Sequence, residues 1–148
     1  MKNDLMDLKA VKALVLALLF VVVAGCTKEA SEEQVSPLMD EYIETYKAKD
    51  FEKLLTYYHP EFFNVQSEKA WVEHLQHVRA TMGEVASVKL KQKQVNTVFS
   101  GRRFIYEYSV KYEKGYAKEV IMFVQKIGTE GIKVQMHKID SKLLRATR

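Results

Sequence analysis

Few side chains in this 148-residue sequence carry reactive chemistry at a useful spacing. Cys26 is the single cysteine and the strongest nucleophile. Alone it forms no intramolecular disulfide and no cysteine metal cluster. A lone exposed thiol is a liability unless something consumes it. His74 and His77 stand three apart, half of a possible metal site. At about 100° per residue on a helix, His74 falls at the edge of the apolar face and His77 turns towards solvent. Glu73 points elsewhere and no third ligand is evident, so no metal is assigned. His59 and Glu61 flank Pro60, where a loop could place a general acid or base at a pocket mouth. Lys89, Lys91 and Lys93, with Arg102 and Arg103, form a basic stripe. No aromatic interleaves the lysines, as a single-strand nucleic-acid platform requires. A solvated sheet edge that discourages strand-to-strand aggregation explains them better, with anionic headgroups as a second option.

Composition bounds the rest. The chain carries 23 basic and 19 acidic residues, and after position 25 the balance is +3, spread along the sequence. That is no case for a nucleic-acid partner. Lys9 and Lys12 precede Ala13–Ala24, ALVLALLFVVVA. Twelve apolar residues fall short of the roughly 20 needed to span a bilayer but suit the h-region of a signal peptide. Asp4 and Asp7 make its n-region less basic than usual. The run ends in Val23-Ala24-Gly25-Cys26, which resembles the lipobox of bacterial lipoproteins: a branched aliphatic, two small residues and a cysteine. The alternative is an ordinary secretory signal with a chance cysteine at the cut. The resemblance implies a thioether diacylglycerol on Cys26, cleavage of the Gly25–Cys26 bond and acylation of the new amino terminus. Several acyl chains would make membrane anchoring effectively permanent, whereas one binds marginally. Thr27, in place of an Asp, favours the outer membrane, facing the periplasm in a Gram-negative cell.

The elements that position the remaining candidates follow from periodicity. Residues 1–25 read as signal and 26–35 as a polar tether reaching roughly 30 Å when extended. A domain over 36–142 and a tail over 143–148, in which Leu143 and Leu144 can pack and Arg145–Arg148 fray, complete the chain. Val35, Leu38, Met39, Tyr42, Ile43 and Tyr46 form one helical stripe. Ser36-Pro37 is one start for that helix, and Ser31 with Gln34, a capping box, is a competing one. Asp50 caps a short helix carrying Phe51, Leu54, Leu55 and Tyr58, which ends at His59-Pro60. Ser67 opens a third helix, with Trp71, Leu75, Val78 and Met82 on one face and Gly83 as its stop.

After Gly83 the period changes to 2. Val88 and Leu90 begin a strand whose alternation slips near Gln94, where a bulge is expected. Phe104, Tyr106, Tyr108, Val110 and Tyr112 share one strand face. Val120–Ile127 forms a third strand. In the fourth, Ile132, Val134 and Met136 alternate with Lys133, Gln135 and His137. Turns this short permit only hairpins. The expected fold is α+β: three N-terminal helices on a curved four-stranded antiparallel meander.

The stretch from Tyr42 through AKDFEKLLTYYHPEFF resembles the opening of the nuclear transport factor 2-like (cystatin-like) superfamily, over about Ser36 to Asp140. That resemblance implies a cone-shaped fold with an apolar pocket. Some members are isomerases or cyclases that use carboxylates or His facing the pocket; many are binding or scaffolding domains. The clearest inward face here, Phe104 to Tyr112, carries neither group, so no catalytic residue and no cofactor are assigned. Tyr58, Trp71, Phe104, Tyr106 and Tyr108 are candidates to line a pocket for a small apolar ligand, or simply core. In the third strand both faces are apolar, so either Val120, Met122 and Val124 or Ile121 and Phe123 must lie outside, near Ile105. That outer face is the candidate surface for a homodimer or an envelope protein. The functional expectation is a lipid-anchored, non-enzymatic binding domain of the cell envelope, with a small isomerase- or cyclase-like enzyme as the rival.

Overall fold

The computed structural model describes residues 32–129 and 131–146. The signal segment, the lipobox and Cys26 lie outside the described residues. Helix α1 spans Glu32–Ala48, α2 Phe51–Leu55, a 3-10 turn Pro60–Asn64 and α3 Glu68–Met82. Strands β1 (Val85–Val98), β2 (Gly101–Tyr112), β3 (Gly115–Lys126) and β4 (Lys133–Asp140) follow, then α4 (Lys142–Ala146). The four strands form one antiparallel sheet in sequence order, so the architecture is α+β. Among the described residues no helix is long and apolar enough to cross a membrane.

Local chemistry explains the helix boundaries. The Asp50 carboxylate accepts from the Lys53 amide at 3.1 Å and the Ser67 hydroxyl from the Ala70 amide at 3.1 Å, each satisfying an N-terminal N–H that the helix cannot. Gly83, at φ 84°, stops α3, and its N–H returns to the Arg79 carbonyl at 2.9 Å. Helix α1 ends differently. Lys49 adopts the left-handed conformation at φ 60°, and the Asp50 amide reaches back to the Thr45 carbonyl at 3.3 Å.

Three expectations need correction. Helix α1 includes Glu32–Val35, assigned above to the tether, and Pro37 lies inside it. Val35 is fully buried, and its packing outweighs the hydrogen bond that Pro37 cannot donate. Leu143 and Leu144 pack as expected, Leu144 buried and Leu143 against Gly115, but Arg145 and Ala146, expected to fray, complete helix α4. Strand β1 carries two irregularities, between Val85 and Ser87 and between Leu90 and Gln92, and the second stands in place of the bulge expected near Gln94. It carries Lys93 to the inner side, opposite Tyr106, while Lys89 stays outside opposite Ser109. The basic stripe is therefore divided between two faces.

The helices cover one face of the sheet. Phe104, Tyr106, Tyr108, Val110 and Tyr112 of β2 and Ala117, Ile121 and Phe123 of β3 point into that layer, against Val35, Met39, Tyr42, Leu54, Trp71, Leu75, Val78 and Met82. Across the outer face run Ile105, Met122 and Met136, cross-strand partners of one another, with Val120 in the next row; all are half-buried. A shallow depression of about 350 Å³ there is lined by Lys118, Val120, Lys138 and Asp140.

Candidate functional site

The centre of the inner layer is polar. Glu119 projects inward from β3 between Ala117 and Ile121, and its carboxylate meets His137 of β4, Nε2 to Oε2, at 2.9 Å. Both side chains are sealed from solvent, at 0% exposure for His137 and 1% for Glu119. The Tyr112 hydroxyl donates to the other carboxylate oxygen at 2.5 Å and itself lies 2.5 Å from the Tyr46 hydroxyl. On the far side of the imidazole, Nδ1 lies 2.9 Å from the Tyr42 hydroxyl and 3.2 Å from that of Tyr58, and the two hydroxyls are 2.6 Å apart. Helix α1 supplies Tyr42 and Tyr46, the end of the α2 segment Tyr58, and three strands the rest.

Counting donors orders the bonds, with distance deciding between the two phenols at Nδ1. Burial holds the Tyr42 phenol well above its ordinary range, with the nearby charge of Tyr58 adding to it. Burial and then the negative charge of Glu119 do the same for Tyr46 and Tyr112, and burial alone chiefly for Tyr58. All four therefore remain O–H groups. With Glu119 as carboxylate and His137 carrying its proton on Nε2, every proton finds an acceptor. Tyr42, the nearer of the two phenols at Nδ1 (2.9 against 3.2 Å), donates to it, Tyr58 to Tyr42 and Nε2–H to Glu119; Tyr46 donates to Tyr112 and Tyr112 to Glu119. An imidazolium would turn Nδ1 into a donor and leave one tyrosine hydrogen without an acceptor. Two relays thus converge on one carboxylate. Compensating positive charge comes from Arg79 of α3, whose guanidinium lies 4.7 Å from the Tyr46 ring centre and 5.6 Å from that of Tyr112. Its Nη2 donates to the Tyr46 carbonyl at 2.5 Å, at the negative end of α1.

An imidazole oriented by a carboxylate is the arrangement of a general base. Here its free nitrogen faces two tyrosines rather than an opening, and each polar atom of the dyad is already paired. As folded, the centre locks α1 to three strands. The β2 face from Phe104 to Tyr112 carries neither carboxylate nor His, as expected, but β3 and β4 add one of each to the same layer. The third strand begins at Gly115 rather than at the expected Val120, which brings Glu119 into it. Period 2 counted back from Phe123 through Ile121 lands on Glu119 and would have flagged it. His137 had no such signal. A bulge in β4 pairs Met122 with Met136 but Phe123 with Val134, skipping Gln135, so Val134 and His137 both turn inward.

The pocket candidates fall into two groups. Tyr58 and Trp71, ring centres 6.0 Å apart, pack at the dyad, and Trp71 also meets His137 at 5.5 Å. Tyr106 and Tyr108 stack at 6.3 Å farther along β2, and Phe104 lies beyond them on the same strand. All five are buried. His59 stands apart, capping the 3-10 turn through the Glu61 amide at 3.2 Å, while Glu61 is exposed and bound to Lys126 at 2.5 Å. His74 stacks on Trp71 at 5.2 Å and His77 is exposed. No cluster of three or more His, Cys, Asp or Glu suited to a metal occurs among the described residues.

No protein-family model matches the sequence, and no curated protein does. Among solved structures the chain is similar to Bdellovibrio bacteriovorus Bd1075, with a TM-score of 0.55 at 15% identity over 73% of this chain. The match spans 40% of that longer protein, so the likeness is one of fold for part of it.

Proposed function

We propose that this chain is a lipid-anchored protein of the cell envelope, held by acyl groups on Cys26, whose domain acts by binding rather than catalysis. The reading takes the domain as nuclear transport factor 2-like, a cone of helices wrapped by the curved sheet. It places the protein at the outer membrane, facing the periplasm in a Gram-negative source. One observation carries the non-catalytic part: the buried titratable dyad is saturated by its own neighbours, so recognition falls to the surface. The half-buried apolar row Ile105, Met122 and Met136 on the outer sheet face suits a second copy or an envelope protein. A small apolar ligand among the inner aromatics is the alternative occupant. The test is an intact mass of the mature amino terminus together with Cys26→Ser. Acyl mass on Cys26, and release of the variant from envelope membranes, are expected; an unmodified thiol on a freely soluble native protein would refute the anchor.

The rival, an isomerase- or cyclase-like enzyme, draws on the same Glu119–His137 pair. It requires substrate to reach Nδ1, and hence solvent to reach it too. Proton exchange at His137 as fast as that of an exposed histidine would favour the enzyme; strong protection favours the binding domain.

A further inference from the structure

The three most exposed large apolar side chains described are Phe99 at 101%, Val65 at 89% and Ile127 at 72%. They belong to three separate segments, yet all lie at one end of the domain. Phe99 sits in the β1–β2 turn and Ile127 just after β3. The Ile127 amide donates to the Ser100 carbonyl at 3.1 Å, which ties the two turns together. Gly101 makes this approach possible, because a Cβ there would stand 2.0 Å from the Gln125 carbonyl oxygen. Val65 follows the 3-10 turn, whose Glu61 is bound to Lys126, the residue before Ile127. Exposed cations, Arg103 and Lys133, belong to the same end; Lys133 Nζ donates to the Thr56 carbonyl at 2.7 Å and keeps two further N–H groups.

Both long helices point away from that end, α1 from beside the middle of β2. Glu32 pairs with Lys93, opposite Tyr106, while Tyr46 pairs with Tyr112, so α1 runs alongside β2 and away from the Phe99 turn. Helix α3 ends where the Lys114 amide bonds the Met82 carbonyl, at the β2–β3 turn, so it begins beside Val65. Cys26 precedes Glu32 by six residues, a link of at most about 20 Å however it runs. Phe99 lies six strand residues beyond Lys93, also about 20 Å. A link extended towards that end thus brings a lipid on Cys26 to the plane of Phe99, Ile127 and Val65, whereas Tyr116 at the start of β3 lies at the opposite end.

We infer that this end is a membrane-contact surface: Phe99, Ile127 and Val65 enter the headgroup boundary of the bilayer that holds the anchor, with Arg103 and Lys133 at the anionic lipid phosphates. The inference rests on the anchored reading, and the experiment separates the two. Full-length Phe99→Trp, Ile127→Trp and Tyr116→Trp proteins are reconstituted in phosphatidylethanolamine–phosphatidylglycerol vesicles with or without brominated acyl chains. Trp71 is buried and supplies a constant background. Tryptophan at 99 and 127 should be quenched at least about threefold more than at 116. Equal quenching at 99 and 116 would overturn the inference. So would emission shifted to the blue at 99 without bromine quenching, which would mean a second copy covers the patch. The mass of the first residue reports the anchor separately. If it carries no lipid, the anchored reading fails, and the same ratio, measured with the chain held by an amino-terminal histidine tag on nickel-chelating lipid, decides the contact surface by itself.

Discussion

Replacing Glu119 by Gln alters almost no volume but removes one acceptor from a centre in which two relays converge. The amide must turn its NH2 either to Tyr112 or to His137, which now stand 2.5 and 2.9 Å from the carboxylate oxygens. Facing Tyr112, it reverses that relay, so Tyr112 donates to Tyr46 and the Tyr46 hydrogen is left without an acceptor. Facing His137, it drives the proton to Nδ1, and Tyr58 is left in the same position at the end of the other branch. Either way one buried hydroxyl is orphaned and a charge-assisted bond lost, a destabilisation of about 2–3 kcal/mol. In urea, followed by circular dichroism on chains lacking residues 1–25 and carrying Cys26→Ser, the midpoint should fall by about 1–2 M. The sharper test is a change of sign. In the native background Tyr46→Phe and Tyr58→Phe should each cost about 1 kcal/mol. In the Glu119→Gln background one of them removes the orphan and should be neutral or stabilising, and which one reveals how the amide turns. Simple additivity of both pairs would refute the convergent relay.

At high pH the four buried tyrosines have folded-state values raised by burial, so they stabilise the fold below the ordinary tyrosine value of 10 and that contribution is lost above it. Phenolate absorbance should therefore rise together with loss of ellipticity; buried tyrosines ionising in a still-folded protein would contradict the burial argument. At low pH, Glu61 has its value lowered, chiefly by the hydrogen bond from Lys126, so its contribution is present above 4.5 and fades as pH falls below that. Glu61→Gln should flatten this part of the acid stability curve, and an unchanged curve would show that the pair contributes nothing. Leu144→Ala should lower stability by about 1–2 kcal/mol in thermal or urea unfolding, less than at a fully sealed position; no effect would return 143–148 to a loose tail. Lys49→Gly relieves a left-handed residue but loosens the unfolded chain and deletes the exposed Lys49–Glu84 pair, so the net change should stay within about 1 kcal/mol.

Sequence patterns carried the coarse fold. The stripe from Val35 to Tyr46, the caps at Asp50 and Ser67, the stop at Gly83 and the alternation of β2 each arise from local chemistry, and each is found where its residues put it. What escaped was set by register. A bulge depends on how two strands meet rather than on either strand's own residues, so the change of face at His137 had no local mark. The extra turn at the start of α1 was hidden for a related reason. Pro37 suggests a boundary, but the tertiary burial of Val35 decides the matter. The candidate centre was thus half legible: Glu119 could be reached by careful counting, whereas its partner needed the sheet.

The imidazole comes from β4, near the end of the chain, while the groups it completes span positions 42 to 119. A polypeptide emerging from a ribosome or threading through a translocase possesses the acid and all four phenols long before the base that finishes the knot. Until residue 137 appears, shutting the interior would bury Glu119 with one oxygen unanswered, so the chain is chemically discouraged from closing early. Closure of the interior is thus timed by β4.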